Sequence, residues 1–279
     1  MPSDLFKKIK QIIARYSPAW IRRRWQWRTM DAKIKRFKRR IVEHTYGSYR
    51  LSVELADPLA QGWYDRDWNQ LPEIQFLMKH KLKTNATVFD VGAHQGVVGM
   101  MLSRAVGPGG KIILVEANPH NAAMCRRNLE LNQIGWAEVL EAAIAGENGP
   151  IQFSNGWNGV VAERSDYGGV FEAKGITLDT MADMHGKPDC VFLDVEGFEM
   201  TALKGAQKLL SQPVDWSIEV HVGCGLEELG AKAEQVIHSF PRNRFDLFIH
   251  TESDLEPMPL EIMENDKLKN RFFLTAISK

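Results

Sequence analysis

Three groups of residues in this chain have the types and spacing to do chemistry. The first is FDVGAHQGVVG at 89–99, where Asp90 ends an apolar run and Gly92 and Gly96 follow before a stretch of helical spacing. Glycines at such a turn let a ligand approach the backbone closely, and the next helix offers it free N–H groups. The second is Glu116, which closes the following apolar run, KIILVE. A carboxylate there can accept hydrogen bonds from both hydroxyls of a ribose. The third joins Asp194 and Glu196 with Glu219 and His221, at the ends of two later apolar runs. Residues two apart on a strand share a face. Glu219 and His221 therefore point the same way, as do Asp194 and Glu196 if the strand persists that far. Buried charges need partners, so four polar groups at neighbouring strand tips are hard to explain as core filling.

The elements that must position these groups alternate. ATVFDVG (86–92), KIILVE (111–116), AEVLEAAIA (137–145), DCVFLDVEG (189–197), WSIEVH (216–221), FDLFIH (245–250) and RFFLTAI (271–277) read as strands. Helical spacing fills 97–106, 120–132, 198–210 and 226–240 between them. Continuous apolar strands alternating with helices predict an α/β fold, a mostly parallel sheet with helices on both faces. In such folds ligands bind beyond the carboxyl ends of the strands, where all three groups lie. The segment 146–175 breaks the alternation. GPIQFS (149–154) and NGVVAE (158–163) read as short strands around NGWNG, and SDYGG (165–169) as a turn, giving either a substrate-facing lid or an edge hairpin.

The glycine turn is D-x-G-A-x-x-G, not the G-x-G-x-x-G of dinucleotide sites, and acids end both the first and second strands. That combination looks like an S-adenosylmethionine site, with a nicotinamide dehydrogenase as the competing enzyme class. The blocks FDVGAHQGVVGMMLSRAVGPGGKIILVEANPHNAAMCRRNLELN, AAIAGENGPIQF, GITLDT and FLDVEGFEMTALKGAQKLL, in that order, resemble the FkbM-type methyltransferase family over roughly residues 60–222. The resemblance implies a class I, Rossmann-like methyltransferase fold with a seven-stranded sheet, S-adenosylmethionine as cofactor and, most often, hydroxyl methylation. It carries over Asp90, Gly92 and Gly96 in the turn, Glu116 on the ribose, and the LDVEG block at 193–197. Ala93, His94, Asn118, Ala143 and Asp194 complete the expected cofactor set. Two departures stand out: His94 occupies a place where such turns more often carry Asn, and neither Ala142 nor Ala143 supplies an acid for the adenine amine, leaving a backbone N–H of Ala143.

A hydroxyl acceptor must be aligned and must lose a proton, to a general base or with help from a metal. His221 is the expected base, oriented by a neighbouring acid, with Asp194 near the transferring methyl and Glu196 and Glu219 beside it. Asp194 and Glu219 also offer oxygen ligands to Mg2+, although no dedicated metal-ligand set is expected. His250 reads as either an acceptor contact or a capping or core residue. Trp63, Tyr64 and Trp68 read either as a wall of the acceptor pocket or as packing. No D/N-P-P-aromatic block marks a methylase of nucleobase amines.

A net charge of zero over 279 residues conceals an asymmetry. Residues 1–40 hold fourteen Lys/Arg and two acids, a net of +12, and the rest of the chain carries −12. Leu5, Phe6, Ile9, Ile12, Ile13 and Tyr16 form one helical stripe, and Trp27, Met30, Ile34, Phe37 and Ile41 a second, with IRRRWQWR (21–28) between them. A basic helical arm over 1–50, followed by a catalytic domain over 51–279, is expected. The arm either packs on the body, lies on an anionic membrane through residues 1–41, or, less favoured, binds nucleic acid. An RNA or protein methyltransferase guided by the arm, and a non-catalytic cofactor-binding module at a membrane or assembly, are the remaining alternatives. Composition is that of a globular protein, with 44% hydrophobic and 25% charged residues. No apolar run reaches spanning length, and the three cysteines form no metal or disulfide pattern. A cytoplasmic location, peripheral at a membrane if the arm binds lipid, is expected, and oligomers remain open.

Overall fold

The structure, a computed structural model, describes residues 33–154, 170–262 and 268–279. It opens with a hairpin of β1 (Arg40–Tyr46) and β2 (Tyr49–Leu55). In β2 the odd positions Leu51, Val53 and Leu55 are fully buried while Arg50, Ser52 and Glu54 are not, the alternation a sheet with one covered face requires. Two short helices follow, α1 (Pro58–Tyr64) and α2 (Pro72–Met78), each with proline in its first turn. Then come β3 (Thr87–Val91), α3 (Val97–Val106), β4 (Lys111–Glu116), α4 (Pro119–Leu131) and β5 (Ala137–Glu141). The chain next makes β6 (Ala143–Ile144), β7 (Gly149–Ser154) and β8 (Val170–Ile176), a separate sheet in the order β6-β8-β7. It returns through α5 (Leu178–His185), β9 (Cys190–Leu193), α6 (Glu199–Lys204), α7 (Gln207–Leu210) and β10 (Asp215–Val220). It ends with α8 (Ala233–His238), β11 (Phe245–His250), β12 (Met258–Pro259) and β13 (Phe272–Ser278).

The main sheet runs β12-β11-β13-β10-β9-β3-β4-β5. β10, β9, β3, β4 and β5 are parallel, and β13 is inserted antiparallel between β10 and β11. From β11 to β5 this is the expected mostly parallel seven-stranded sheet, with the two-residue β12 added at one edge. Successive strands move outward on one side through β3, β4 and β5 and then on the other through β9 and β10. The reversal lies between β3 and β9, where a crevice opens. Apolar clusters cover both faces: Phe89, Val91, Ile113, Val191 and Trp216 belong to one, Val88, Ile112, Leu114, Met100 and Leu102 to the other.

Four expectations change. Residues 40–50 form part of a hairpin, not a helical arm, because IVEHTY and YRLSVEL alternate with period two once Phe37 is passed, so the boundary expected at residue 50 falls inside that hairpin. AEVLEAAIA is two strands, since β5 ends at Glu141 and β6 pairs with β8. The helix expected over 226–240 is confined to α8, with 226–230 folded as turns in which the Ala231 N–H closes on the Leu226 carbonyl. The helix expected over 198–210 is broken into α6 and α7. The arm up to residue 32, and the NGWNG, NGVVAE and SDYGG readings within 155–169, lie outside the described residues.

Side chains of α4 bind the hairpin to the domain. Asn128 accepts from the Glu54 N–H at 2.8 Å and donates to the Gln95 carbonyl at 2.9 Å. Asn132 pairs with both backbone groups of Ser52, at 2.9 and 2.7 Å. Two asparagines thus stand in for a strand partner along β2, and Asn128 is fully buried. Asn128→Ala would leave buried backbone groups unpaired and should lower the unfolding free energy by about 2 kcal/mol in urea titration; an unchanged midpoint would show that the hairpin is held by other contacts.

Candidate functional site

A cleft of about 740 Å³ lies beyond the carboxyl ends of β3, β4 and β9. Gly92, His94, Glu116, Ala143, Asp194 and Glu196 line it, all expected from the sequence. Trp63, Ala117, Ala142, Ile144, Phe198 and Leu229 are also among its walls.

Its floor is backbone. Gly92 sits at φ +89°, and a Cβ there would lie 1.6 Å from the carbonyl oxygen of Asp194. The N–H groups of Gly92 and Ala93 both donate to the Val115 carbonyl, at 2.9 and 3.0 Å, and the Asp194 N–H donates to the Val91 carbonyl at 2.9 Å. Gly96, at φ +84°, caps α3 and approaches Cys125 so closely that a Cβ would lie 2.6 Å from its Sγ. Ala93 and Gly96 therefore shape the turn without lining the cleft.

Glu116 is 9% exposed at the end of β4. Its Oε2 accepts from the His94 N–H at 2.8 Å and its Oε1 from the Asn118 N–H at 2.7 Å. Asn118 in turn caps α4, accepting from the N–H groups of His120 and Asn121. Asn118 thus orients Glu116 from behind, outside the cleft lining. Burial pushes the Glu116 carboxyl up to about 7, against the opposing pull of these N–H donors.

Asp90 departs from expectation. It faces α3, where a Cβ on Gly99 would lie 2.7 Å from its Oδ2, and that oxygen is buried with no hydrogen-bond partner. Strand alternation explains this, since Val91 points to the cleft and Asp90 to the opposite face. Its carboxyl is pushed up to about 7 by burial and by Glu116.

The donor set fits S-adenosylmethionine. Glu116 lines the cleft at the end of β4, where its carboxylate can accept from vicinal hydroxyls. Ala117, Ala142, Ala143 and Ile144 form a small-residue apolar wall suited to a flat base. The cleft then runs from Glu116 past Gly92 to Asp194, which places a ligand's far end at the third group of residues.

In that group His221 is 1% exposed. Its Nδ1 is 2.6 Å from Glu199 Oε1, and its Nε2 is 3.5 Å from Asp194 Oδ1, 3.5 Å from Glu196 Oε2 and 3.7 Å from Glu219 Oε1. The four predicted residues converge, although β9 ends at Leu193. A left-handed turn, with Glu196 at φ +51° and Gly197 at φ +96°, brings Glu196 back toward His221. Arg271 at the start of β13 pairs with Glu219 at 3.0 Å and also with Glu252. Asp194, Glu219 and His221 each present a ligand atom within 4.8 Å of the others. Burial alone would lower the His221 pKa, but the Glu199 hydrogen bond and the charges of Asp194, Glu199 and Glu219 outweigh it and raise it to about 9. The Asp194 carboxyl is pushed well above the usual range by desolvation in the cleft and by Glu219, with His221 opposing.

Two functional groups, Glu199 and Asp57, escaped the sequence reading, and the polar partner of a third, Tyr64, was not marked by it. Glu199, fully buried, holds both the Gly197 N–H and His221 Nδ1 with one oxygen. Asp57 caps α1 and accepts from Gln95 Nε2 at 2.7 Å while pairing with His120 at 3.0 Å. Tyr64 meets His94 Nδ1 at 2.7 Å. The S/T/D/N-before-helix pattern marks Asp57 as a cap, but nothing in the sequence marks its long-range partners. Trp63 does line the cleft, whereas Trp68 packs against Tyr46, and His250 pairs with Glu73 at 3.2 Å in the core.

The family model described as the methyltransferase FkbM domain matches residues 90–243. No match is found among curated proteins. Among solved structures the chain is similar to an S-adenosylmethionine-dependent O-methyltransferase from Thermotoga maritima, at 13% identity and TM-score 0.46, covering 86% of this chain and 77% of that one. It is similar to a precorrin-6y C5,15-methyltransferase from Geobacter metallireducens, at 14% identity and TM-score 0.45 over 76% and 90% of the two chains. It is also similar to methyltransferase FkbM from Methylobacillus flagellatus, at 14% identity and TM-score 0.44 over 68% and 43%.

The raised Glu116 pKa gives a signed expectation. The folded protein binds this proton more tightly than the unfolded chain, so the group's contribution to stability falls as pH rises from about 4.5 to about 7. Glu116→Gln removes that titration. Its melting temperature relative to the parent should therefore shift upward between pH 4 and pH 8, while S-adenosylhomocysteine binding weakens; a pH-independent difference would show that Glu116 is not held above its ordinary pKa.

Proposed function

The chain belongs to the FkbM methyltransferase family and is an S-adenosylmethionine-dependent methyltransferase, and we propose that it methylates a hydroxyl group of a sugar, glycan or secondary metabolite. The observation that carries this reading is the buried His221–Glu199 pair ringed by Asp194, Glu196 and Glu219 at the end of the cleft. A neutral amine can attack without losing a proton first, whereas a hydroxyl needs one removed as it attacks, so a proton-accepting cluster suits the hydroxyl.

When bound, S-adenosylmethionine supplies a methyl group made electrophilic by its sulfonium. Glu116 and the glycine turn hold the nucleoside end, and the apolar wall excludes water from the base. Below about pH 9 His221 already carries a proton. The immediate proton acceptor is therefore Asp194, whose side chain is 53% exposed toward the cleft and whose raised pKa makes it more basic than an ordinary aspartate. The His221 ring, already carrying its proton, faces Asp194 and Glu219 across the cleft end, so these three groups titrate together and not one by one. Glu199 fixes the ring from behind, and Arg271 holds Glu219 in place. For the first 41 residues, the +12 charge of 1–40 supports contact with an anionic membrane surface, which would favour lipid-linked acceptors.

The test is transfer of a labelled methyl group by the full-length protein to a panel of hydroxylated glycans. Label on a hydroxyl is expected; label on RNA or protein instead would overturn the hydroxyl assignment. Glu199→Gln and His221→Asn should each lower kcat by roughly 10²–10⁴ while leaving S-adenosylhomocysteine affinity unchanged. The rate should fall as pH drops through the raised carboxyl titration, above the ordinary aspartate range of about 4.

A further inference from the structure

His94 stands out within the glycine turn. It adopts a left-handed backbone, φ +48°, that non-glycine residues seldom take. Its N–H is committed to Glu116 and its ring packs against Trp63, with centroids 5.0 Å apart. Its Nδ1 lies 2.7 Å from the Tyr64 hydroxyl, which belongs to α1, outside the nucleotide-binding unit. Tyr64 is 4% exposed, and its own carbonyl is held by the Tyr46 hydroxyl at 2.5 Å. Three successive pieces of the chain thus fix the direction of one imidazole.

The tautomer follows from the hydrogen-bond inventory. Burial drives the His94 pKa down to about 4 and the Tyr64 pKa well above its ordinary value. At neutral pH the imidazole is uncharged with one N–H, and the phenol keeps its proton. Among the described residues the Tyr64 hydroxyl has no hydrogen-bond partner except His94 Nδ1. Were Nδ1 to carry the hydrogen, the buried phenolic O–H would have nowhere to donate, an arrangement that costs about 1–3 kcal/mol. With the phenol donating to Nδ1, the ring proton sits on Nε2, which has no partner among the described residues, on a side chain that lines the cleft.

We propose that Tyr64 is a positioning residue that locks His94 as an Nε2–H donor, and that this donor holds the carboxylate of the cofactor's methionyl part. The sulfonium and ammonium of that part are cationic and cannot accept a hydrogen bond, and the carboxylate carries its negative charge. A neutral donor suits this place better than an imidazolium would, since a positive ring would repel the sulfonium. The inference rests on the cofactor cleft described above and adds to it a specific role for α1, which lies before the glycine turn in the chain.

The experiment uses two ligands that differ in the relevant group. S-adenosylhomocysteine retains the amino-acid carboxylate, and 5′-methylthioadenosine lacks the amino acid altogether. By calorimetry on the full chain, His94→Ala should weaken S-adenosylhomocysteine by about tenfold or more and leave 5′-methylthioadenosine nearly unchanged. Tyr64→Phe should act in the same direction with a smaller effect, and His94→Asn, which keeps an N–H donor, should restore part of the difference. Histidine ¹⁵N shifts of the ligand-free protein should report hydrogen on Nε2 of His94, with Nδ1–H appearing in Tyr64→Phe. Equal weakening of both ligands, or Nδ1–H in the parent protein, would overturn the proposal. Failure of the parent protein to bind either ligand would instead overturn the cleft assignment on which it rests.

Discussion

The site depends on one close backbone approach. The carbonyl of Asp194 occupies the space where a side chain at residue 92 would begin, so the turn after β3 and the turn after β9 can touch only because Gly92 has none. The Val91 carbonyl completes the clasp by accepting the Asp194 N–H. Through it, the backbone that receives a nucleoside and the backbone that carries the acidic cluster become one rigid piece. Everything that must be aligned for a methyl to move in line is measured from that contact. A displacement of about 1 Å there would cost on the order of 10²-fold in rate.

Around this clasp the protein concentrates charge that it could not tolerate elsewhere. His221 faces four carboxylates, and Asp90 and Glu116 add two more within the same end of the sheet. Such crowding is stable only because each group is tied by a named partner or shares a proton: Glu199 with the Gly197 N–H, Glu219 with Arg271, Glu116 with two backbone donors. Among the described residues two of these carboxylate oxygens are exceptions, Asp90 Oδ2 beneath α3 and Glu199 Oε2, both buried and unpartnered. Raised carboxyl pKa values are the visible result, and they cluster where function would need them.

Much of this was legible in the sequence because it is periodic or local. The parallel strands announced themselves as unbroken apolar runs, and the D-x-G-A-x-x-G turn with Glu116 located the cleft. The convergence of Asp194, Glu196, Glu219 and His221 was read correctly on the argument of strand tips, although Glu196 arrives through a left-handed turn and not by continued strand alternation. What stayed hidden is long-range. Glu199 looks like an ordinary first-turn acid of a helix, and only the fold reveals that its oxygen reaches His221. Asp57 and Tyr64 lie far from their partners Gln95 and His94 along the chain. The hairpin was missed because Ile34, Phe37 and Ile41 satisfy a helical period that ends, without local warning, at β1. Asp90 carries over from the turn motif, and alternation along β3 directs its Oδ2 toward α3.

The departure of the chain after β5 has a separate consequence. Ala142, Ala143 and Ile144 form the wall proposed for the base, and they belong to the short passage where the backbone leaves the main sheet to build the three-stranded one. The chain re-enters at α5, and the excursion in between is anchored to the domain at its two ends. Its far strand, β7, can therefore lengthen, shorten or change composition over evolutionary time without altering the register of any strand of the main sheet. The same few residues that close on the nucleoside are the hinge of that insertion point. A lineage can in this way remodel what lies beside the cleft while inheriting the cofactor wall unchanged.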